Sequence, residues 1–147
     1  ITEGKNIGEI LKIMYVFRDV IGKFVNWTKL KIRIHTTERK FYPREKQIWW
    51  VSLGQNIGTE INGKNEYFER PVLVVKRYHT DSCLVLPLSS RIRTGNYYMS
   101  FRGPHGDMNV LNFSQVRSIS TKRFIRWIGK VSDADFEQAR RTLKDLL

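Results

Sequence analysis

A succession of short apolar runs, each closed by a turn signal, fills most of the chain from Gln47 to Ser120. QIWWVSLG ends at Gly54. Pro71–Tyr78, Ser82–Ser89, Asn96–Arg102, Met108–Phe113 and Val116–Ser120 follow, separated by turn signals such as HTD, RTGN and RGPHGD. Runs rich in β-branched and aromatic residues with turns at this spacing predict a small, strongly bent sheet or barrel. Between the first run and the second lies QNIGTEINGKNEYFE, polar and rich in Gly and Asn, from Gln55 to Glu69. A loop of that length in a compact domain is usually functional or mobile, and its glycines read as flexibility.

Both flanks of this β region read as helix. Ile7, Ile10, Leu11, Met14, Phe17, Ile21, Phe24 and Val25 recur at three- and four-residue spacing, one apolar stripe that predicts core or interface. Residues 27–40 fit either a second helix capped by Asn26 or an alternating strand, with helix favoured. At the other end, Ser132 followed by Asp135 starts a helix with Phe136, Ala139, Leu143, Leu146 and Leu147 as its inward face.

The chain carries 26 Lys and Arg against 14 Asp and Glu over 147 residues, a formal charge of +12. That balance points to a polyanionic partner, nucleic acid first. The excess is concentrated: from Ser82 to Ser132 the only acid is Asp107, among many arginines and lysines. A hydrophobic content of 41% excludes a disordered chain. The longest apolar stretch, Ile10 to Val25, is broken by Lys12, Arg18, Asp19 and Lys23 and cannot span a bilayer. A single cysteine, Cys83, sits inside an apolar run and reads as a small buried hydrophobe in a reducing cytoplasm.

Few catalytic patterns are present. His35, His79 and His105 would suit a base and acid pair, but nothing in their neighbourhoods brings them together. There is no HxH, HExxH, GxSxG or glycine-rich phosphate loop between a strand and a helix. One juxtaposition stands out in YFERPVLVVKRYHTDSCLVLPLSS. With a turn near His79–Ser82, an antiparallel hairpin brings Arg70 and Ser89–Ser90 to the same end of two neighbouring strands, beside the long loop. A guanidinium and a hydroxyl converging there make a phosphate site.

At these residues the sequence resembles the PemK/MazF family of toxin–antitoxin endoribonucleases. IWWVSLG, IGTE, NGKN, RPVLVV, VLPLSS, FSQVRSIS and KRFIRWIGKVSDADF agree in order and spacing over roughly residues 45 to 147. WTKLKIRIHTTERKFYPREK is similar to the lead-in of a longer branch of the family. The resemblance implies a mainly β (α+β) fold, an SH3-like barrel with a C-terminal helix over 43–147, preceded by a helical extension over 1–42. It also implies a cytoplasmic homodimer, controlled by an antitoxin whose acidic, partly disordered tail covers the basic groove.

The activity implied is sequence-specific cleavage of single-stranded RNA, without metal or other cofactor. The substrate's own 2′-hydroxyl attacks, leaving a 2′,3′-cyclic phosphate and a 5′-hydroxyl. By position, Arg70 carries charge stabilisation and Ser89 falls on the family's catalytic threonine. Serine keeps the hydroxyl but lacks the methyl that restricts its rotamer. Thr59 and Gln115 fall on positioning groups. Arg91, Arg93, Arg117, Lys122 and Arg123 are expected to track the strand, with Phe68, Tyr97 or Tyr98 stacking bases. The alternative is a binding module on the same barrel, poisoning a protein such as gyrase or holding RNA without cutting it.

Overall fold

The computed structural model describes residues 4–38 and 40–147. Its N-terminal part is one helix, α1 (Ile7–Thr36), capped by Asn6, whose side-chain oxygen accepts from the Glu9 N–H at 2.9 Å. The two helical stretches expected from the sequence are therefore continuous, and Asn26 lies mid-helix rather than at a cap. Thr37 turns to extended backbone and ends the helix. Position 39, within the expected second stretch, lies outside the described residues. The apolar stripe from Ile7 to Val25 is not in the core of this chain: Ile7, Leu11 and Phe17 are exposed. Burial begins where Trp27 and Leu30 meet the barrel.

Seven strands follow: β1 (Gln47–Ser52), β2 (Glu69–His79), β3 (Ser82–Ser89), β4 (Tyr98–Arg102), β5 (Met108–Asn112), β6 (Arg117–Ser120) and β7 (Phe124–Lys130). They form an antiparallel sheet in the order β4-β5-β3-β2-β1-β7, with β6 also paired to β3. The bend comes from β3. One of its edges takes β2, while the other is shared, Ser82–Val85 pairing β6 and Leu88–Ser89 pairing β5. One strand edge serving two partners forces the sheet to diverge and wrap, which is the small barrel that the sequence predicts.

This wrapping explains the unbroken apolar run VLVV. Leu73 and Val75 enter a core layer with Leu86, Leu88, Leu111 and Phe136, while Val72 and Val74 enter a second with Val51, Cys83, Val85 and Phe124. A strand covered on both faces needs apolar residues at successive positions rather than alternation. Cys83 is fully buried, and burial pushes its thiol up to about 11.

Helix α2 (Asp133–Leu146) starts as expected, with the Ser132 hydroxyl oxygen accepting from the Asp135 N–H at 3.1 Å. Phe136, Ala139 and Leu143 are buried on the barrel. Leu146 and Leu147, expected on the same face, are 38% and 95% exposed, because the helix stops there and runs past the core. Strand β7 was not expected from the sequence. Its pairing to β1 shifts register twice, so burial along FIRWIGK does not alternate and leaves no period to read.

Helix α1 and the barrel meet in a contact cluster around Trp27. The Trp27 ring lies 5.7 Å from that of Phe68, and the Arg123 guanidinium sits over it at 5.6 Å. Arg123 Nη1 donates to the Ser52 and Leu53 carbonyls, and Lys122 Nζ donates to the His35 carbonyl in the last turn of α1, where a cation also meets the helix dipole. Gly54 permits the approach: its φ is +104°, and a Cβ there would stand 2.5 Å from the indole of Trp27. Gly54→Ala is therefore expected to cost about 1–3 kcal/mol, read as a lowered denaturant midpoint with an unchanged m-value.

Candidate active site

Arg70 is the second residue of β2 and Ser89 the last of β3. Val72 pairs with Pro87, so Arg70, two residues earlier in β2, is level with Ser89, two residues later in β3. The guanidinium is held by backbone: Nε donates to the Asn62 carbonyl at 2.8 Å and Nη1 to the Leu88 carbonyl at 3.1 Å. Its partial burial lowers the Arg70 pKa from its ordinary value. The starting value is so high that the group stays charged near neutrality. The Ser89 hydroxyl oxygen accepts from the Arg91 N–H at 3.1 Å, which fixes the oxygen and leaves its hydrogen to donate.

Both side chains line one cavity of about 540 Å³, together with Thr59, Arg93, Tyr98 and Gln115. Its polar lining is guanidinium, hydroxyl and carboxamide, without a carboxylate. Gln115 faces the loop as well: its Oε1 accepts from the Ile61 N–H at 2.9 Å and its Nε2 donates to the Thr59 carbonyl at 3.1 Å. The carboxamide thus clamps the segment that carries Thr59. Asn112 and Ser114, which sequence reasoning passed over, complete this wall, the Ser114 hydroxyl donating to Asn112 Oδ1 at 2.7 Å.

The loop differs from the expectation of flexibility. The Phe68 carbonyl accepts from both the Leu53 and Gly54 N–H groups, Gly63 N–H donates to the Gly54 carbonyl, and Asn56 Nδ2 donates to the Ile61 carbonyl. Gly63 serves close approach, since a Cβ there would collide with the Phe68 carbonyl at 1.8 Å. Glycine here closes the loop base rather than loosening it.

The expected strand-tracking set divides. Arg93 lines the cavity, with its guanidinium 5.9 Å from the Tyr98 ring centroid. Arg91 is exposed just beyond Ser89. Arg117 pairs with Val85 in the other half of β3, away from Ser89. Lys122 and Arg123 hold α1, and burial, helped by Arg117, pushes Arg123 down to about 10. Among the aromatics, Tyr98 lines the cavity, Tyr97 is exposed, and Phe68 is buried under Trp27 and not available to a base.

A second cluster stands beside Arg70. Glu69 is 6% exposed, and its carboxylate accepts from Arg126 Nη1 at 2.9 Å, from Arg126 Nη2 at 3.0 Å and from Asn65 Nδ2 at 2.9 Å. Arg126 also lies over the Trp50 ring at 4.9 Å. Burial works to raise the Glu69 pKa, but the bonds from Arg126 and Asn65 outweigh it and hold the carboxyl below its ordinary value. An acid placed directly before Arg70 at the start of an apolar strand was the signal for this pair. No three His, Cys, Asp or Glu residues come together as a metal site among the described residues. No helix among them is long and apolar enough to cross a membrane.

Residues 44–147 match the family model described as the PemK-like, MazF-like toxin of type II toxin–antitoxin systems. The chain belongs to the PemK/MazF toxin family. No curated protein matches the sequence. The PemK/MazF fold is also found in solved structures. MazF from Deinococcus radiodurans superposes with a TM-score of 0.58 at 17% identity, over 73% of this chain and 97% of that one. An endoribonuclease in complex with its cognate antitoxin, from a mycobacterial species, gives 0.55 at 16% identity, over 70% and 92%. The MazE–MazF structure from Deinococcus radiodurans gives 0.53 at 14%, over 73% and 96%. At such identities the likeness concerns the fold, and here it covers nearly the whole length of each PemK/MazF-type neighbour.

The Glu69–Arg126 bond has a pH signature. Because the folded-state pKa of Glu69 is depressed, the stability it contributes is present above the unfolded value near 4.5. It is lost as pH falls through the lower folded value. Glu69→Gln is expected to destabilise the protein by about 1–3 kcal/mol at pH 7. In urea melts the difference should shrink as pH falls below the unfolded value near 4.5 and vanish once the wild-type carboxyl is itself protonated.

Proposed function

We propose that this chain is a sequence-specific endoribonuclease toxin that cleaves single-stranded RNA without a metal. The observation that carries this reading is the convergence of Arg70 and Ser89 on one cavity. The substrate 2′-hydroxyl gives up its proton as its oxygen attacks the adjacent phosphorus, the bond to the 5′-oxygen breaks and that oxygen takes a proton, so the products are a 2′,3′-cyclic phosphate and a 5′-hydroxyl. The protein has to align that attack and stabilise the charge that gathers on the phosphoryl oxygens.

Arg70 suits the second task. Two backbone carbonyls orient it. A planar guanidinium meets a phosphoryl group with more than one N–H, and no reorganisation is needed as charge develops. Ser89 donates a hydrogen bond to the same phosphoryl group. Gln115 acts through the loop, holding Thr59 against the cavity. Arg91 and Arg93 carry the incoming strand past it. A lining of cations, hydroxyls and amides matches phosphoryl stabilisation by the protein itself, since hard divalent ions take carboxylate oxygens.

The partners follow from the family and the charge. The physiological regulator is an antitoxin segment rich in acids that orders on binding and covers the groove. Two copies of the domain over 43–147 form the working dimer, with the extension over 1–42 added to each.

The test is end mapping on a long RNA. Cleavage is expected to persist in EDTA and to leave 2′,3′-cyclic phosphate and 5′-hydroxyl ends. Arg70→Ala should lower the rate by about 10²–10³, and Ser89→Ala by about tenfold, the loss of one charge-assisted hydrogen bond. RNA affinity should fall steeply with salt. Cleavage that needs a divalent ion, or survives in Arg70→Ala, removes the reading.

A further inference from the structure

One residue noted in the sequence has no part in the site so far. Asp107, the single acid between Ser82 and Ser132, lies in the turn joining β4 to β5. Its backbone carbonyl accepts from the Gly103 N–H at 2.7 Å and from Asn109 Nδ2 at 3.1 Å, so the main chain shapes the turn. Among the described residues, its carboxylate has no hydrogen-bond or ion-pair partner.

That turn forms one wall of a cavity of about 430 Å³, and the facing wall is Trp50, Arg126 and Trp127. Trp127 is 55% exposed, a large aromatic surface at the mouth. Arg126 is immobilised by its two bonds to Glu69 and by stacking on Trp50. The cavity shares Trp50, Pro71, Leu88 and Asn109 with a neighbouring recess, and Arg70 and Ser89 stand in the wall of that recess. A continuous track thus leads from the guanidinium and hydroxyl to Asp107.

A carboxylate repels phosphate, so on an RNA track it does not serve the backbone. Of the donors RNA offers it, a ribose hydroxyl or an N–H on a base edge, the second is the one that a stacking wall of Trp50, Arg126 and Trp127 brings to it. Cytosine, adenine and guanine each present an exocyclic amino group, whereas the one N–H on the pairing edge of uracil, at N3, lies between two carbonyl oxygens that a carboxylate opposes. The edges of unpaired bases are open to such reading, and indole and guanidinium planes stack on any base. We propose that this cavity is a base-recognition subsite: one unpaired amino-bearing base stacks against Trp127 and the Arg126–Trp50 pair, and Asp107 accepts from its amino group, excluding uracil. This rests on the RNA-cleavage reading for its place on the track, while recognition of the base does not require cleavage.

Two readouts test it on the full chain. In end mapping, wild-type cut sites should exclude uracil at one fixed position near the broken bond. Asp107→Asn, which keeps both backbone bonds of the turn, should raise cutting at uracil-containing sites about 10- to 100-fold relative to the original word. An unchanged word in Asp107→Asn overturns the proposal. The second readout is binding of short oligonucleotides differing at one base, measured in the Arg70→Ala background. A preference against uracil that disappears with Asp107→Asn supports the subsite even if the wild type cuts nothing, which would sink only the cleavage reading. No base preference in the parent, or no RNA binding, overturns the subsite. So does a result in which Trp127→Ala changes the oligomeric mass by light scattering and leaves the word and the preference intact, since the face would then belong to a second copy of the chain.

Discussion

The pairing of β2 with β3 is the constraint on which the rest depends. It places two residues nineteen positions apart in the chain at the same level and on the same cavity. Side chains alternate along a strand, so a slip of one residue would send Ser89 to the opposite face. The register is held by the two-sided core: Val72 and Val74 are committed to one layer, Leu73 and Val75 to the other. Arg70 then reports on that register directly, because one of its N–H groups reaches the Leu88 carbonyl across the hairpin. Packing in the barrel and chemistry at its rim are in this sense the same specification.

Much of this was legible because strong local signals agreed. Turn residues bounded the runs that became β2 and β3, and Ser132 with Asp135 marked the start of α2. Hairpin geometry brings Arg70 to the same end as Ser89–Ser90, and two register shifts, between Val74 and Lys76 and between Arg77 and His79, set it level with Ser89. What escaped lacked a period or depended on distant partners. The bulged edge strand β7 shows no alternation to detect. The Glu69–Arg126 bond joins residues 57 positions apart. Gly54 reads in the sequence as a strand end and Gly63 as flexibility, yet each is small because something else comes close: an indole from α1, a carbonyl from Phe68. A glycine signals an unusual backbone requirement, and sequence does not say whether the requirement is motion or contact.

The basic charge shows the same ambiguity. A run of arginines and lysines in the sequence looks like one electrostatic surface, but the structure assigns them separate physical tasks. Arg123 is half-buried against an indole and two carbonyls, and Arg126 is locked to a carboxylate. Arg93 lines the cavity, and Arg91 is exposed beside Ser89. Net charge measures attraction for a polyanion at a distance, while the fraction that contacts it is set by which guanidinium groups already have partners.

The helical extension is less separable than its position at the end of the chain implies. Trp27 packs on Phe68 and against Gly54, and these two residues are the opposite ends of the loop, joined by the hydrogen bond from the Gly54 N–H to the Phe68 carbonyl. The middle of the same loop is gripped from the other side, by Gln115 at Thr59 and Ile61 and by Arg70 at Asn62. The segment that walls the cavity is therefore held at its base by the extension and at its crest by the barrel. Because the base contact is aromatic and the crest contacts are hydrogen bonds, the two restraints have different physical origins.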